Sequence, residues 1–164
     1  LTWLGKEDSD KALAALKEND FFIAIGDNAV REKIFRKLAE KNLHPVNAIH
    51  PSAVIDPSAN LAPNGIMVAA NAVINPLAKI GVGAICNTSC IIEHECIVGD
   101  VAHIGPGAVL CGNVKVGNNT FVGANAVVRQ GITIGNNAMI GAGAVVVKNV
   151  ADNTTVTGVP AHTK

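Results

Sequence analysis

Large aromatic side chains and net charge are what this sequence lacks most clearly. It has no tyrosine, one tryptophan and four phenylalanines, and its 13 Lys and Arg balance its 13 Asp and Glu. Without an excess of positive charge there is no electrostatic basis for binding nucleic acid or an anionic membrane. Apolar runs stay well short of the roughly twenty residues that span a bilayer, and a signal-peptide layout is missing from the N-terminus. We therefore expect a cytoplasmic protein with no nucleic-acid or membrane partner.

What the sequence does contain is a six-residue repeat. Apolar residues recur at every sixth position from residue 68 to residue 146, and the residue four places after each is mostly small. Each six-residue unit, or hexad, forms a strand of about three residues and a sharp corner. Three hexads form the three sides of one triangular coil. Coils then stack about 4.8 Å apart, with each side chain over its counterpart eighteen residues away. The repeat predicts a mainly β fold, a parallel β-helix over residues 49–164 that includes a C-terminal tail. The apolar positions are Val68, Ile74, Ile80, Cys86, Ile92, Val98, Ile104, Leu110, Val116, Val122, Val128, Ile134, Ile140 and Val146.

Residues 1–48 have a different character, because charged residues are dense there and rare in the repeat. We expect a helix over residues 10–18 capped by Asp8 or Ser9, and a strand over residues 21–25 buried on both faces of a parallel sheet. A second helix, capped by Asp27 or Asn28, and a short strand over residues 46–49 follow. This order predicts a partial Rossmann-like α/β domain that binds a nucleotide sugar at the carboxyl end of its strand. The apolar face of the second helix is predicted to be Val30, Ile34 and Leu38.

A first strand with a glycine-rich phosphate loop is absent from this half-domain, and the chain does not begin with methionine. We expect that upstream residues are missing or that the chain is one part of a longer polypeptide, with fusion to an upstream enzyme of the same pathway as one possibility. Gly26, Asp27 and Asn28 lie where uridine or diphosphate is expected, and Arg31 lies within reach of a phosphate. The structural alternative is a helix cap followed by an exposed helical charge.

Four segments resemble a known enzyme family. They are FFIAIGDN at 21–28 followed by Arg31, NTS at 87–89, IEHEC at 92–96 and GVPA at 158–161. They are similar to the UDP-4-amino-sugar N-acetyltransferases of bacillosamine biosynthesis, within a group that includes sialic acid O-acetyltransferases and perosamine N-acetyltransferases. The resemblance implies a left-handed β-helix, acetyl-CoA as co-substrate and a UDP-linked 4-amino-4,6-dideoxy-N-acetyl sugar as acceptor in a glycosylation pathway. It also implies a homotrimer with active sites between subunits.

His94 is the leading candidate for the catalytic base of that reaction. Acetyl transfer from a thioester to an amine needs a group that accepts the amine proton, and histidine has a suitable pKa. A carboxylate bonded to the other ring nitrogen would fix the tautomer and stabilise the imidazolium. The resemblance assigns that role to Glu95, whereas the sequence alone leaves Glu93 as a rival.

Gly112 occupies the position of His94 one coil later, so no side chain is expected over the imidazole on that side. Its N–H is a candidate donor to the oxyanion or to the thioester carbonyl. The resemblance places the thioester near Gly112 and the pantetheine arm along Ala124 and Ala142. The alternative is that Gly112 only turns a corner.

Asn87 and His103 match residues at the substrate end of the family's active site. The resemblance implies that His103 bonds a sugar hydroxyl or the acetamido group, and that Asn87 donates to and accepts from the sugar. The alternatives are a solvent-facing corner for His103 and an internal asparagine ladder for Asn87.

The cysteines and histidines of the repeat fit other chemistries less well than direct acetyl transfer. The four cysteines lack metal-site spacing, and a zinc carbonic anhydrase needs three converging histidines where this repeat offers only His94 and His103, so we expect no metal. An acyl-enzyme on Cys111 is disfavoured because no basic residue adjoins it in sequence. Among acceptors, a sialic acid hydroxyl or GDP-perosamine is the alternative. A non-catalytic sugar-nucleotide-binding scaffold is the alternative of a different class.

Overall fold

The computed structural model describes residues 3–164 as two helices followed by nineteen short strands. The helices are α1 (Asp10–Glu18) and α2 (Asn28–Ala39). The strands are β1 (Ala48–Ile49), β2 (Val54–Ile55), β3 (Asn60–Leu61), β4 (Met67–Val68), β5 (Val73–Ile74), β6 (Lys79–Ile80), β7 (Ile85–Cys86), β8 (Ile91–Ile92), β9 (Ile97–Val98), β10 (His103–Ile104), β11 (Val109–Leu110), β12 (Lys115–Val116), β13 (Phe121–Val122), β14 (Val127–Val128), β15 (Thr133–Ile134), β16 (Met139–Ile140), β17 (Val145–Val146), β18 (Thr155–Thr157) and β19 (His162–Thr163).

Consecutive strands fall into three different sheets in turn, so every three strands complete one coil of a parallel β-helix. Face A contains β1, β4, β7, β10, β13, β16 and β18, with β19 added antiparallel at its end; face B contains β2, β5, β8, β11, β14 and β17; face C contains β3, β6, β9, β12 and β15. Ile91 lies opposite Val109, an offset of eighteen residues, as the hexad predicts. The first coil is one residue longer, because Ala48 lies opposite Met67.

The interior of the β-helix is filled by the two predicted columns of apolar and small residues. Every residue of the apolar column from Val68 to Val146 is buried, and so are the small residues between them, such as Ala72, Cys90 and Ala126. Narrow coils leave room for aliphatic and small side chains only, which accounts for the scarcity of aromatic residues. The predicted fold class is confirmed.

The outward sides of the three faces differ in chemistry. The N-terminal region covers face A around His103, while Met139 on the same face is 51% exposed. Face C is largely polar, whereas face B presents a continuous column of β-branched apolar residues in register from coil to coil. On face B, the exposed fraction reaches 61% for Val54 and 36% for Val127. The column of face C is Asn60, Lys79, Ile97, Lys115 and Thr133, and the column of face B is Val54, Val73, Ile91, Val109, Val127 and Val145.

The N-terminal helices form as predicted, but the predicted strand over residues 21–25 does not. Ser9 caps α1, and Asp27 caps α2 by accepting from the Val30 N–H at 2.9 Å. Residues 21–25 belong to no strand or helix, and their one backbone hydrogen bond to another described segment joins the Val46 N–H to Phe21 O. Without a neighbouring parallel strand in residues 3–164, this segment has no sheet to join. Of the predicted α/β elements, the structure shows the two helices and, in place of the short strand over residues 46–49, the strand Ala48–Ile49.

Phe35, rather than Val30, carries much of the packing between α2 and the β-helix. Val30 is 47% exposed, so the predicted apolar face is wrong at that position, while Leu38 is buried with Ile23. The Phe35 ring lies against Gly83, where a Cβ would come within 2.7 Å of it. In residues 3–164 neither helix is long and apolar enough to cross a membrane.

Candidate active site

His94 lies at the corner between β8 and β9, where face B meets face C. Its Nδ1 donates to Glu95 Oε2 at 3.2 Å, and both side chains are about half exposed. A neutral imidazole with its proton on Nδ1 has an unprotonated Nε2, which is the nitrogen able to accept a proton from a substrate. Within the described chain, Glu93 makes no hydrogen bond to this ring. The geometry therefore favours Glu95 as the orienting carboxylate.

Gly112 lies directly against the free edge of the His94 ring. A Cβ at this position would lie 2.5 Å from His94 Nε2 and 2.6 Å from Cε1. The residue of this corner that has a left-handed backbone conformation is the neighbouring Asn113, with φ 55°. Gly112 has no positive φ, so the turn itself does not require a glycine there. Gly112 is buried, and among residues 3–164 no acceptor receives its N–H.

Two of the three predicted acetyl-CoA residues, Ala124 and Ala142, lie at a different corner from Gly112. Ala124 follows β13 and Ala142 follows β16, so both lie where face A meets face B, and they stack through the Gly143 N–H on Ala124 O at 2.8 Å. Asn87, after β7, is at this corner too. Face B separates these residues from His94 and Gly112, so one chain does not bring the two groups together.

His103 is a buried residue of β10 on face A, with 8% of its surface exposed. Its Nδ1 donates to Gly26 O at 3.4 Å, and Asn87 Nδ2 donates to its Nε2 at 3.0 Å. The ring also packs edge-on against Phe121, with centroids 4.9 Å apart. Burial, aided by the Arg31 charge, holds the pKa of His103 below its ordinary value despite the opposing Gly26 bond. The ring is therefore not at a solvent-facing corner, and both of its nitrogens have partners within the chain.

Arg31 is fully buried and acts as a connector between α2 and the β-helix. Nε donates to Gly83 O, Nη1 donates to Ile25 O and Gly26 O, and Nη2 donates to Asn28 Oδ1 and Val101 O, all within 2.7–3.0 Å. These five bonds use every N–H of the guanidinium. Loss of hydration lowers the pKa of Arg31 to about 10. Because no donor is left for a phosphate, the predicted phosphate contact of Arg31 is not what the structure shows.

Gly26, Asp27 and Asn28 line a cavity of about 360 Å³ on face A. Asn28 Nδ2 donates to Asn119 O at 3.1 Å, which fixes the turn on the β-helix. The opposite wall includes Phe121, Asn137 and Met139, which were not predicted. Phe121 is the lone aromatic residue between 49 and 164, and that isolation was the available sequence signal.

The cysteines contribute buried thiols rather than an obvious nucleophile. All four are free, and only Cys111 is partly exposed. Burial raises the pKa of Cys96 to about 11, and its thiol donates to Cys111 O at 3.2 Å. Among the described residues, no three His, Cys, Asp or Glu side chains are grouped as a metal site would require.

The sequence of this chain matches known protein families over most of its length. Residues 95–130 and 113–148 match the bacterial transferase hexapeptide (six repeats) family, and residues 1–38 match the PglD N-terminal domain. A variant of perosamine N-acetyltransferase from Caulobacter crescentus, solved with CoA and GDP-perosamine, is 43% identical with a TM-score of 0.90, over 95% of this chain and 75% of that one. The chain belongs to the sugar N-acetyltransferase family.

Two further solved structures are similar to this chain in sequence and fold, and one of them is an acetyltransferase domain. The acetyltransferase domain of PglB from Neisseria gonorrhoeae, in complex with acetyl coenzyme A, is 34% identical with a TM-score of 0.87, over 92% of this chain and 76% of that one. WeeI from Acinetobacter baumannii is 27% identical with a TM-score of 0.85, over 93% and 76% of the two chains. This sugar N-acetyltransferase is therefore an acetyl-CoA-dependent acyltransferase, and the alternative of a non-catalytic scaffold is set aside.

Proposed function

We propose that this enzyme transfers the acetyl group of acetyl-CoA to the 4-amine of a nucleotide-linked amino sugar, with His94 as general base. The observation that carries the proposal is the arrangement of three groups at one corner. Glu95 holds Nδ1 of His94, Nε2 has no partner within the chain, and Gly112, whose N–H has no acceptor among residues 3–164, lies against that edge of the ring. A base and an oxyanion donor side by side are what acyl transfer requires.

The proposed reaction is a direct attack without an acyl-enzyme. The neutral amine attacks the thioester carbonyl carbon while His94 Nε2 accepts an amine proton. Negative charge that develops on the carbonyl oxygen is stabilised by the Gly112 N–H, and Glu95 stabilises the imidazolium. The tetrahedral adduct then breaks its C–S bond, and the imidazolium proton passes to the departing CoA sulfur. The products are the N-acetyl sugar and CoA, with His94 neutral again.

We propose a homotrimer because face B presents a broad apolar surface that needs a cover. Its column of valines and isoleucines runs the height of the β-helix and is uncovered in the single chain. Exposed apolar surfaces of this kind are typical of subunit interfaces. Face A is partly covered by the N-terminal region and face C is largely polar, so face B is the side expected to turn toward a threefold axis.

Such a trimer would also complete the active site. A cyclic interface is heterologous, so the B–C corner of one subunit meets the A–B corner of the next. His94 and Gly112 of one chain would then face Ala124 and Ala142 of its neighbour, which are the residues expected to hold the pantetheine arm. Asn87 would approach from the same neighbouring corner. Sites between subunits thus account for the separation of the predicted residues in one chain.

Two nucleotide sugars are candidates for the acceptor. Gly26, Asp27 and Asn28 beside the face A cavity support a nucleotide-linked acceptor over free sialic acid. Resemblance in the sequence supports a UDP-linked 4-amino-4,6-dideoxy-N-acetyl sugar. The 43% identity to an enzyme solved with GDP-perosamine supports GDP-perosamine as the second candidate. A cytoplasmic location remains a prediction from the sequence.

The test is a side-by-side assay of CoA release with UDP-4-amino-4,6-dideoxy-N-acetylglucosamine, GDP-perosamine and free sialic acid. We expect the UDP sugar to give the highest kcat/KM. Preference for GDP-perosamine would replace the nucleotide assignment but keep N-acetylation of an amine. Preference for sialic acid would contradict the amine acceptor altogether.

A further inference from the structure

The carbonyl of Gly26 is a junction between the N-terminal region and the β-helix. It accepts a hydrogen bond from Arg31 Nη1 at 3.0 Å and another from His103 Nδ1 at 3.4 Å. Arg31 comes from α2, whereas His103 comes from β10 on face A. Two buried side chains from separate parts of the chain therefore hold the same peptide group.

This junction determines the tautomer of His103. A carbonyl oxygen can only accept, so the His103 proton resides on Nδ1. Burial opposes a second proton and keeps the ring neutral, which leaves Nε2 as an acceptor. Asn87 Nδ2 then has to be the group that points at Nε2, 3.0 Å away.

The orientation of the Asn87 amide follows from the same contact. Its Oδ1 accepts from the Thr88 N–H at 2.7 Å and from the Thr88 hydroxyl at 3.3 Å. One of the two Nδ2 hydrogens is donated to His103, and the other is uncommitted. Asn87 is only partly buried, so this remaining N–H is the hydrogen-bonding group that it offers to a ligand.

We propose that Arg31 and His103 are positioning residues that lock the Asn87 amide so that it presents an N–H to an oxygen acceptor of the sugar. The inference rests on the proposed function, in which Asn87 contacts the nucleotide-linked sugar. The N–H of Asn87 can bind a carbonyl or hydroxyl oxygen of the sugar. It cannot bind an ammonium group, which has only donors. His103 acts through Asn87 and does not touch the sugar.

Arg31 is suited to this task because its planar guanidinium reaches several acceptors at once. The two bonds from Nη1 fix the Ile25 and Gly26 carbonyls, and Nε and Nη2 anchor the group to the coils through Gly83 and Val101. A lysine at the same place has a single nitrogen and three donors. It would leave buried carbonyls unpaired and the Gly26 carbonyl held by His103 alone.

A double-mutant cycle tests the proposal. His103→Phe keeps the aromatic contact with Phe121 but removes both ring nitrogens, and Asn87→Ala removes the amide. We expect each to raise KM for the sugar nucleotide by about tenfold, with kcat and KM for acetyl-CoA within about twofold of the parent. The double variant should be no worse than Asn87→Ala alone, because His103 works through that side chain. Additive losses would mean that His103 contacts the sugar itself and would overturn the proposal.

Arg31→Lys provides the second arm, with Arg36→Lys as its matched control on the same helix. Arg36 is exposed and pairs with Glu32, so its substitution should change no kinetic constant. We expect Arg31→Lys to raise KM for the sugar nucleotide and to add nothing to Asn87→Ala. An unchanged KM in a folded Arg31→Lys protein would remove Arg31 from the proposal.

Nitrogen NMR of the His103 ring gives a readout that needs no substrate. The free protein should show a neutral ring protonated on Nδ1, and Asn87→Ala should shift the Nε2 resonance without moving the proton. A proton on Nε2 would overturn the proposal. If Asn87→Ala raises KM while His103→Phe does not, this inference fails and the proposed function stands. If Asn87→Ala leaves KM unchanged for every sugar nucleotide, the inference fails together with the placement of Asn87 in the substrate site.

Discussion

Gly112 and His94 are matched across one coil so closely that a single methyl group on the glycine would reach within 2.5 Å of the imidazole Nε2. The match leaves that nitrogen next to backbone instead of a side chain. It also leaves the Gly112 N–H, which no acceptor in residues 3–164 receives, beside the nitrogen proposed to take the substrate proton.

Gly112→Ala should therefore reduce activity without unfolding the protein. The new Cβ forces the His94 ring out of its position, and we expect kcat to fall by about 100-fold, as for a misplaced catalytic group. The control is Gln130→Ala, which changes the same corner position one coil further and should leave kcat near that of the parent. Retained activity in Gly112→Ala would show that the ring position is not critical.

His94→Ala should lower kcat by at least about 100-fold, since a general base is lost, and should leave the affinity for acetyl-CoA nearly unchanged. Steady-state kinetics and calorimetric binding of acetyl-CoA measure the two effects separately. His50→Ala is the matched control, because His50 is exposed and bonds only Ser52 among the described side chains. Activity within a few-fold of the parent in His94→Ala would remove His94 as the base.

The two glutamates beside His94 can be distinguished by the same substitution. Glu95 Oε2 lies 3.2 Å from Nδ1, so Glu95→Gln weakens orientation and imidazolium stabilisation, and we expect kcat to fall roughly tenfold. Glu93→Gln should have a smaller effect than Glu95→Gln, because Glu93 makes no bond to the ring among the described contacts. A large loss in Glu93→Gln with normal activity in Glu95→Gln would reverse the assignment.

The sequence predicted the β-helix well because its register depends on a short, repeated period. Buried residues such as Ile92 and Leu110 recur at fixed spacing, and each coil repeats the same pattern of inward-facing and outward-facing residues. The corners that carry His94 and Ala124 also follow from residue number once the coils are counted. The separation of these corners by face B is thus a consequence of the repeat, and it is the reason that we propose a site shared between chains.

The parts that the sequence did not predict depend on contacts between distant segments. Arg31 looks like any exposed helical charge until Gly83 and Val101 are brought beside it, some 50 and 70 residues away in sequence. Residues 21–25 have the composition of a buried strand, but a strand also needs a neighbour, and local composition does not supply one. The burial of His103 likewise comes from the N-terminal segment that covers face A.

Stability should fall in mild acid because of His103. Its folded-state pKa lies below the ordinary value of 6.5, so on acidification the unfolded chain takes up a proton before the folded protein does. The free energy of unfolding should then decrease as pH falls below about 6.5, by at most about 1.4 kcal/mol per pH unit from this one group. Urea unfolding at fixed protein concentration, compared between pH 7.5 and 5.5, measures the change.

His103→Phe should flatten that pH dependence, since phenylalanine does not titrate, whereas His50→Gln should leave it as in the parent. An identical pH dependence in His103→Phe and the parent would show that His103 is not held neutral by burial.

The central claim is that His94 of one subunit works with the Ala124 corner of the next, and subunit complementation tests it most directly. His94→Ala removes the base, and Ala124→Trp blocks the proposed path of the pantetheine arm, so each variant alone should be nearly inactive. When the two are mixed in equal amounts and reassembled, about one quarter of the sites should combine an intact His94 with an intact Ala124, and activity should return to about one quarter of the parent value. Activity no higher than that of the separate variants, in mixed trimers verified by mass, would contradict a site shared between subunits.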